Sequence, residues 1–173
     1  MIRPIIAVLT VLFLSTPHLQ ATPLSVGTPA PQVSAVDQEG KTIHFADLYA
    51  QGVTLVYFYP KAGTSGCTAE ACSLRDSYEK LHAQGLQIIG VSRDKPDAQK
   101  HFQQENKLPF TLVADTDGKV AEAFGVPMMM GGIIPVAERQ SFIVKNGKVA
   151  WNSLKAQTTG SADEVQKALD GLK

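Results

Sequence analysis

Two cysteines, Cys67 and Cys72, are the side chains best suited to covalent chemistry. The sequence contains no other cysteine. A cysteine reacts through its thiolate, and a free thiol is only a few per cent thiolate at neutral pH. Two thiols can also join as a disulfide, either as a lasting crosslink or as a redox pair. The pair therefore predicts thiol chemistry, provided that the fold stabilises one sulfur as an anion.

Cys67 stands where a fold can stabilise an anion. The run Val53–Tyr59 is almost entirely apolar and aromatic, which predicts a strand buried on both faces of a sheet. A long helix is predicted to follow, from near Ser65 to just before Gly85. Cys67 would lie in its first turn, where unpaired N–H groups and the helix dipole favour negative charge.

This helix also has an apolar stripe, which disfavours a charged sulfur unless a cation lies nearby. The stripe consists of Cys67, Ala71, Leu74, Tyr78 and Leu81. After residue 21 the chain has only three arginines, and these are the candidate cations: Arg75, Arg93 and Arg139.

The spacing of the cysteines favours a redox pair over a lasting crosslink. In an ideal helix, residues five apart are about 8.6 Å apart at Cα and rotated by about 140°. A disulfide tolerates at most about 7 Å. Cys67 and Cys72 can therefore bond only if the first turns unwind, which a static crosslink would not require. The crosslink remains the alternative if the helix begins later than Ser65.

The remaining patterns predict an α/β domain. A leader over residues 22–31 precedes a hairpin, Asn146-Gly147 marks a second hairpin, and Ser161 with Glu164 forms a capping box for the last helix. Strands are expected at residues 33–37, 42–45, 53–59, 86–91, 110–114, 141–145 and 148–151, and further helices at 96–106, 119–124 and 161–172. This order predicts one domain with a central mixed β-sheet flanked by helices and an N-terminal β-hairpin extension.

Residues 1–21 predict a secretory signal peptide. Arg3 supplies a positive start, Ile5–Leu14 is apolar, and Leu19-Gln20-Ala21 is typical of a cleavage site. The apolar stretch is shorter than the roughly 20 residues that span a bilayer, although an uncleaved anchor is the alternative. We therefore expect an exported, periplasmic or secreted protein whose folded domain is residues 22–173, with no membrane contact once the signal is removed.

The composition excludes few function classes but counts against a polyanionic partner. The formal net charge is zero, and 44% of the residues are hydrophobic and 18% charged. No run of lysine or arginine appears, so the sequence does not predict nucleic-acid binding.

The segment Tyr59–Asp76, Y-P-K-A-G-T-S-G-C-T-A-E-A-C-S-L-R-D, resembles the peroxiredoxins. Pro60, Thr64 and Cys67 match the P-x-x-x-T-x-x-C signature of that family. A second cysteine five residues after the first matches its bacterioferritin-comigratory (plant Q-type) subfamily. The later segments G-V-S-R-D, P-F-T-L-V-A-D, F-G-V-P and R-Q-S-F-I-V-K-N-G-K occur in the usual order of the family. The resemblance covers roughly residues 24–172.

The resemblance implies a thioredoxin-like fold and a thiol peroxidase that needs no cofactor or metal. Cys67 would attack a hydroperoxide and become a sulfenic acid, which Cys72 would resolve as an intramolecular Cys67–Cys72 disulfide. A thioredoxin-like protein would reduce that disulfide. Thr64 and Arg139 would bind the peroxide oxygens, and Pro60 would shield the sulfur. A monomer is expected, with a weak homodimer as the alternative.

Individual site residues also have simpler explanations. Thr64 could act only as a helix cap, and Arg139 only in a surface ion pair. Glu70 and Arg75 either join the hydrogen bonds of the site or lie on a solvated helix face. The apolar segment Met128–Ile134 predicts a flexible lid or partner surface, with copper(I) binding by thioethers as the alternative.

Two other functions remain as alternatives. A thiol-disulfide oxidoreductase acting on exported proteins would carry C-x-x-C, whereas this chain has C-x-x-x-x-C. A metallochaperone would use both cysteines and a histidine, yet His44, His82 and His101 have no ligand spacing with each other. The peroxidase is therefore the leading prediction.

Overall fold

The computed structural model describes residues 21–173. The predicted signal peptide lies outside the described residues, apart from Ala21. Within the described range, no helix is long and apolar enough to cross a membrane.

Most strands lie in one seven-stranded sheet with the order β2-β1-β5-β4-β3-β8-β9. The strands are β1 (Ser34–Asp37), β2 (Thr42–His44), β3 (Val53–Phe58), β4 (Leu86–Ser92), β5 (Thr111–Ala114), β6 (Met128–Met130), β7 (Pro135–Ala137), β8 (Gln140–Lys145) and β9 (Lys148–Ser153). Strands β3, β4 and β5 are parallel, whereas β8 and β1 pair antiparallel with the two edges of that trio. The predicted mixed sheet and N-terminal hairpin are confirmed.

The helices cover both faces of this sheet. They are α1 (Phe45–Gln51), α2 (Ser65–Asp76), α3 (Tyr78–His82), α4 (Pro96–Glu105), α5 (Lys119–Ala123) and α6 (Ser161–Gly171). One apolar core joins the sheet to α2, α3, α4 and α6, and a second joins it to α1 and α5. Strand β3 lies between both cores, which explains its unbroken apolar sequence: Leu55 to Phe58 are fully buried.

The prediction of one helix from Ser65 to Gly85 is wrong at Ser77. This residue has ψ near 4° and separates α2 from α3. Beyond the break, the Tyr78 ring lies 6.2 Å from the ring of Phe110 and stacks on His82. The apolar spacing continues through Ser77 because both helices pack on the same core, so periodicity alone does not detect the interruption.

Two other local features also differ from the prediction. Phe45 does not end a strand but begins α1, where it and Tyr49 pack in the second core. No strand was expected in the apolar segment Met128–Ile134, yet β6 pairs antiparallel with β7 around Gly131-Gly132. Its methionines stay at least partly exposed.

The predicted capping box is absent from the start of α6. Gly160 occupies the N-cap position without a side-chain bond, and Ser161 is already helical. Glu164 instead accepts a hydrogen bond from Ser153 Oγ at 2.6 Å. The Glu164 carboxylate therefore connects α6 to the end of β9, and this tertiary contact replaces the predicted local cap.

Gly90 in β4 is required by close packing. It pairs with Tyr57 of β3, and a Cβ atom there would lie 2.7 Å from both Tyr57 Oη and Leu112 Cδ2. Both neighbours are fully buried and have no room to move. We expect Gly90→Ala to lower the free energy of unfolding by about 1–3 kcal/mol, measured by urea denaturation.

Gly171→Ala is the matched control, because a Cβ at Gly171 meets nothing within 4 Å. This variant should leave stability unchanged or raise it slightly, as alanine favours helix. If Gly90→Ala were as stable as Gly171→Ala, the packing argument for Gly90 would be wrong.

Candidate active site

Cys67 lies at the carboxyl edge of the parallel strands. Strand β3 ends at Phe58, a short loop follows, and α2 begins at Ser65 with Thr64 at its N-cap position. Cys67 is therefore in the first turn of the helix, as predicted, and only 2% of it is exposed. The free N–H groups of that turn favour negative charge on the sulfur, whereas burial opposes it.

Arg139 is the cation that the sequence required beside the sulfur. Its Nη2 donates to Cys67 Sγ at 3.2 Å. The register of the sheet explains this contact, because Gln140 at the start of β8 pairs with Phe58 at the end of β3. Arg139 therefore emerges next to the loop that leads to Cys67. The side chain is only 17% exposed, so Arg139 is not a surface ion pair.

Glu70 shares this guanidinium with Cys67. It lies one turn along α2 and accepts a hydrogen bond from Arg139 Nη1. The side chain is fully buried, and its Oε1 has no hydrogen-bond partner among the described residues. Burial raises the pKa of Glu70 to about 8, an effect that Arg139 partly opposes. The Arg139 guanidinium therefore bonds to both Glu70 and Cys67, each of which can become negatively charged.

A buried polar network fixes the loop before α2. The backbone N–H of Ala62 donates to Asp94 Oδ2 at 2.8 Å, and Ser92 Oγ donates to the same oxygen at 2.7 Å. Gln99 Nε2 donates to Ser92 Oγ at 2.9 Å, and the hydroxyl of Tyr59 donates to Gln99 Oε1. The chain of bonds connects the loop to β4 and α4, so the loop cannot shift without breaking its partly buried hydrogen bond to Asp94.

The roles of this network and of Thr158 were not predicted from the sequence. Ser92 and Asp94 belong to the G-V-S-R-D segment, which was a usable signal. No sequence pattern points to Thr158. Its methyl group would lie 3.5 Å from a Cβ atom at Gly66, which places Thr158 over the first turn of α2 and near Arg139.

The structure places Thr64 and Pro60 at the rim of the site. Thr64 is exposed, and its hydroxyl donates to the carbonyl of Lys61 at 3.0 Å. It occupies the N-cap position, yet its side chain makes no capping hydrogen bond, so the simple cap explanation fails. Pro60 is half-buried and follows the buried Tyr59, the first residue after β3.

Cys72 lies on α2 but not at the Cys67 site. It is half-buried and, like Cys67, a free thiol. Both residues belong to one intact helix, so the geometry predicted from an ideal helix applies and no disulfide joins them here. Arg75 does not reach Cys67 either, because it bonds to Asp76 and to the backbone carbonyl of Asn106.

The three described histidines have other contacts. His44 shares a hydrogen bond with Ser34, His82 stacks on Tyr78, and His101 faces Glu105. Over residues 21–173, no group of three or more His, Cys, Asp or Glu side chains could hold a metal ion.

The site thus combines a buried cysteine at a helix N-terminus with a guanidinium on its sulfur, an arrangement suited to a nucleophilic thiolate. The sequence matches the AhpC/TSA family over residues 26–152, and the chain belongs to that family. It is a peroxiredoxin, a thiol-dependent peroxidase.

Its relatives include the expected subfamily. Peroxiredoxin Bcp of Escherichia coli strain K12 is 42% identical over 131 residues, which are 73% of this chain and 83% of that protein. Chloroplastic peroxiredoxin Q of Sedum lineare is 38% identical over 150 residues, 85% of this chain and 78% of that protein. The crystal structure of peroxidoxin BcpB from Mycobacterium tuberculosis has a TM-score of 0.78 and 28% identity, and the match covers 86% of this chain and 97% of that one. The thioredoxin-like fold is confirmed.

The raised pKa of Glu70 predicts a pH-dependent stability. The folded protein retains a proton that the unfolded chain loses near the ordinary value of 4.5. The resulting stabilisation is complete below that pH and is lost as pH rises through about 8. Relative to Glu70→Gln, the wild-type free energy of unfolding should therefore fall by a few kcal/mol between about pH 5 and pH 9.

Urea unfolding under reducing conditions measures this difference. Glu79→Gln, on the exposed side of α3, is the control and should track the wild type. If the free energies of unfolding of the wild type and Glu70→Gln changed in parallel with pH, Glu70 would be ionised throughout and the prediction would be wrong.

Proposed function

We propose that Cys67 is the peroxidatic cysteine, which reduces hydrogen peroxide and organic hydroperoxides. The contact between Arg139 Nη2 and Cys67 Sγ at 3.2 Å carries this proposal. A fixed guanidinium stabilises the thiolate before the reaction. Neither Cys72 nor any of the three described histidines has such a cation on a buried helix N-terminus.

The Cys67 thiolate attacks the terminal oxygen of the peroxide, forming an S–O bond while the O–O bond breaks. The leaving oxygen departs with the electron pair as hydroxide or alkoxide and takes up a proton. Arg139 lies where that negative charge develops, and fixed donors lower such a barrier. Thr64, at the rim, helps to bind the peroxide once its hydroxyl turns from Lys61, and Pro60 shields the sulfur from bulk water.

Cys72 is the resolving cysteine in this proposal. Its thiol condenses with the Cys67 sulfenic acid, which yields the Cys67–Cys72 disulfide and one water molecule. The first turns of α2 unwind for this step, because an intact helix holds the two sulfurs apart. A thioredoxin-like dithiol then reduces the disulfide by exchange and restores both thiols.

Cysteine variants test the two roles separately. Cys67→Ser should consume no peroxide above background. Cys72→Ser should complete one turnover and leave Cys67 as a sulfenic acid that a dimedone probe traps, measured by mass spectrometry. Peroxide consumption by Cys67→Ser at the wild-type rate would mean that the nucleophile is misassigned.

The same assay separates the alternative functions. A thiol-disulfide oxidoreductase would reshuffle disulfides of a substrate protein without rapid peroxide consumption. A metallochaperone would bind copper(I) or zinc and do neither.

We also propose that the protein is exported and acts outside the cytoplasm, supported by the sequence pattern of residues 1–21. Its reductant would then be an extracytoplasmic thioredoxin-like protein. The proposed cycle uses two cysteines of the same chain and needs no second copy, which supports a monomer. The exported protein should begin at Thr22 and have the native mass of one chain, whereas a retained Met1 would favour a membrane anchor.

A further inference from the structure

Cys72 faces the end of α4 and not the peroxide site. Its Sγ lies 3.8 Å from Asn106 Oδ1, a distance at which a thiol donates a weak hydrogen bond. Asn106 Nδ2 donates to the carbonyl of Phe102 at 2.9 Å, which turns the amide oxygen toward the sulfur. The contact is therefore oriented by the end of α4.

Arg75 also bonds to Asn106. Its Nη1 donates to the Asn106 backbone carbonyl at 2.9 Å, while its remaining nitrogens engage Asp76. Arg75 follows Cys72 by three residues, so the thiol and the guanidinium project from neighbouring positions on α2 toward the same residue. Two side chains of α2 thus converge on Asn106.

These contacts are present while α2 is an intact helix and Cys72 is a free thiol. To bond with Cys67, Cys72 must rotate by roughly 140° around the helix and leave Asn106. A contact that is lost when the disulfide closes adds its free energy to the barrier for closure. It therefore slows closure by the Boltzmann factor of that free energy.

We propose that Asn106 and Arg75 hold the Cys72 thiol of α2 against the end of α4, an arrangement called the latch below. The latch thereby sets the lifetime of the Cys67 sulfenic acid. The inference rests on the proposed function, in which Cys72 resolves Cys67. Asn106 and Arg75 are positioning residues: neither contacts Cys67, and both act through Cys72.

The latch has a chemical consequence. While Cys72 is retained, the Cys67 sulfenic acid is open to a second peroxide, whose O–O bond breaks as one oxygen joins the sulfur and water or an alcohol leaves. The product is a sulfinic acid, which no disulfide exchange restores. A longer-lived sulfenic acid therefore makes the enzyme more sensitive to excess peroxide.

Rapid mixing with hydrogen peroxide followed by acid quench and mass spectrometry measures the two steps separately. In Asn106→Ala and Arg75→Ala, the peroxide-independent closure of the disulfide should be about threefold to tenfold faster than in the wild type. The peroxide-dependent oxidation of Cys67 should stay within about twofold, because the Arg139 contact is untouched. The sulfinic fraction at high peroxide should fall in the same proportion as closure accelerates.

Two further variants make the test specific. Arg75→Lys keeps a charged donor for the Asn106 carbonyl and should restore most of the slow closure. Arg93→Ala is the matched control, because Arg93 likewise donates to backbone carbonyls, those of Pro135 and Thr116, and these hydrogen bonds do not involve α2. It should close at the wild-type rate. Arg75 is 32% exposed, so Arg75→Ala tests the latch even if Asn106→Ala fails to fold.

Unchanged or slower closure in Arg75→Ala, with normal oxidation of Cys67, would overturn the latch and leave the proposed function intact. Equal acceleration by Arg93→Ala would also overturn it, because general destabilisation would then explain the effect. A wild-type protein whose Cys67 is not oxidised by peroxide would instead contradict the proposed function.

Discussion

The contact between the Arg139 guanidinium and the Cys67 sulfur is the interaction on which the other features depend. Burial makes a sulfur anion costly, and the first turn of α2 offers only partial charges to offset that cost. The full positive charge of Arg139, whose Nη2 lies 3.2 Å from the sulfur, opposes that cost. Glu70 bonds to the same cation, yet burial raises its pKa to about 8, an effect that Arg139 only partly opposes.

The fold is arranged to hold this contact. Antiparallel pairing of β8 with β3 brings Arg139 to the end of the strand that leads to Cys67. The Asp94 network fixes the intervening loop from the opposite side. Strain or movement in the loop would change the distance between sulfur and guanidinium, so the polar network stabilises reactivity as well as structure. The same helix that positions Cys67 keeps Cys72 away from it, which couples chemistry to a local unwinding.

The sequence predicted what depends on local pattern. Apolar runs located the strands near Cys67, and the cysteine spacing alone showed that an intact helix and a disulfide exclude each other. Features that depend on tertiary packing were missed: the break at Ser77, the whole of helix α1 (Phe45–Gln51) and the pairing of the methionine strand. Among three arginines, charge could not select Arg139, because its position follows from strand register. The family resemblance supplied that choice.

Absorbance at 240 nm, where a thiolate absorbs and a thiol does not, tests the central interaction most directly. Cys72→Ser isolates the Cys67 signal, and the spectrum is compared at pH 7 for the folded protein, the urea-unfolded protein and the folded protein with Arg139→Gln added. The account predicts that most of Cys67 is thiolate in the folded protein, and that unfolding or loss of the guanidinium returns it to a few per cent. Equal absorbance in all three samples would contradict it.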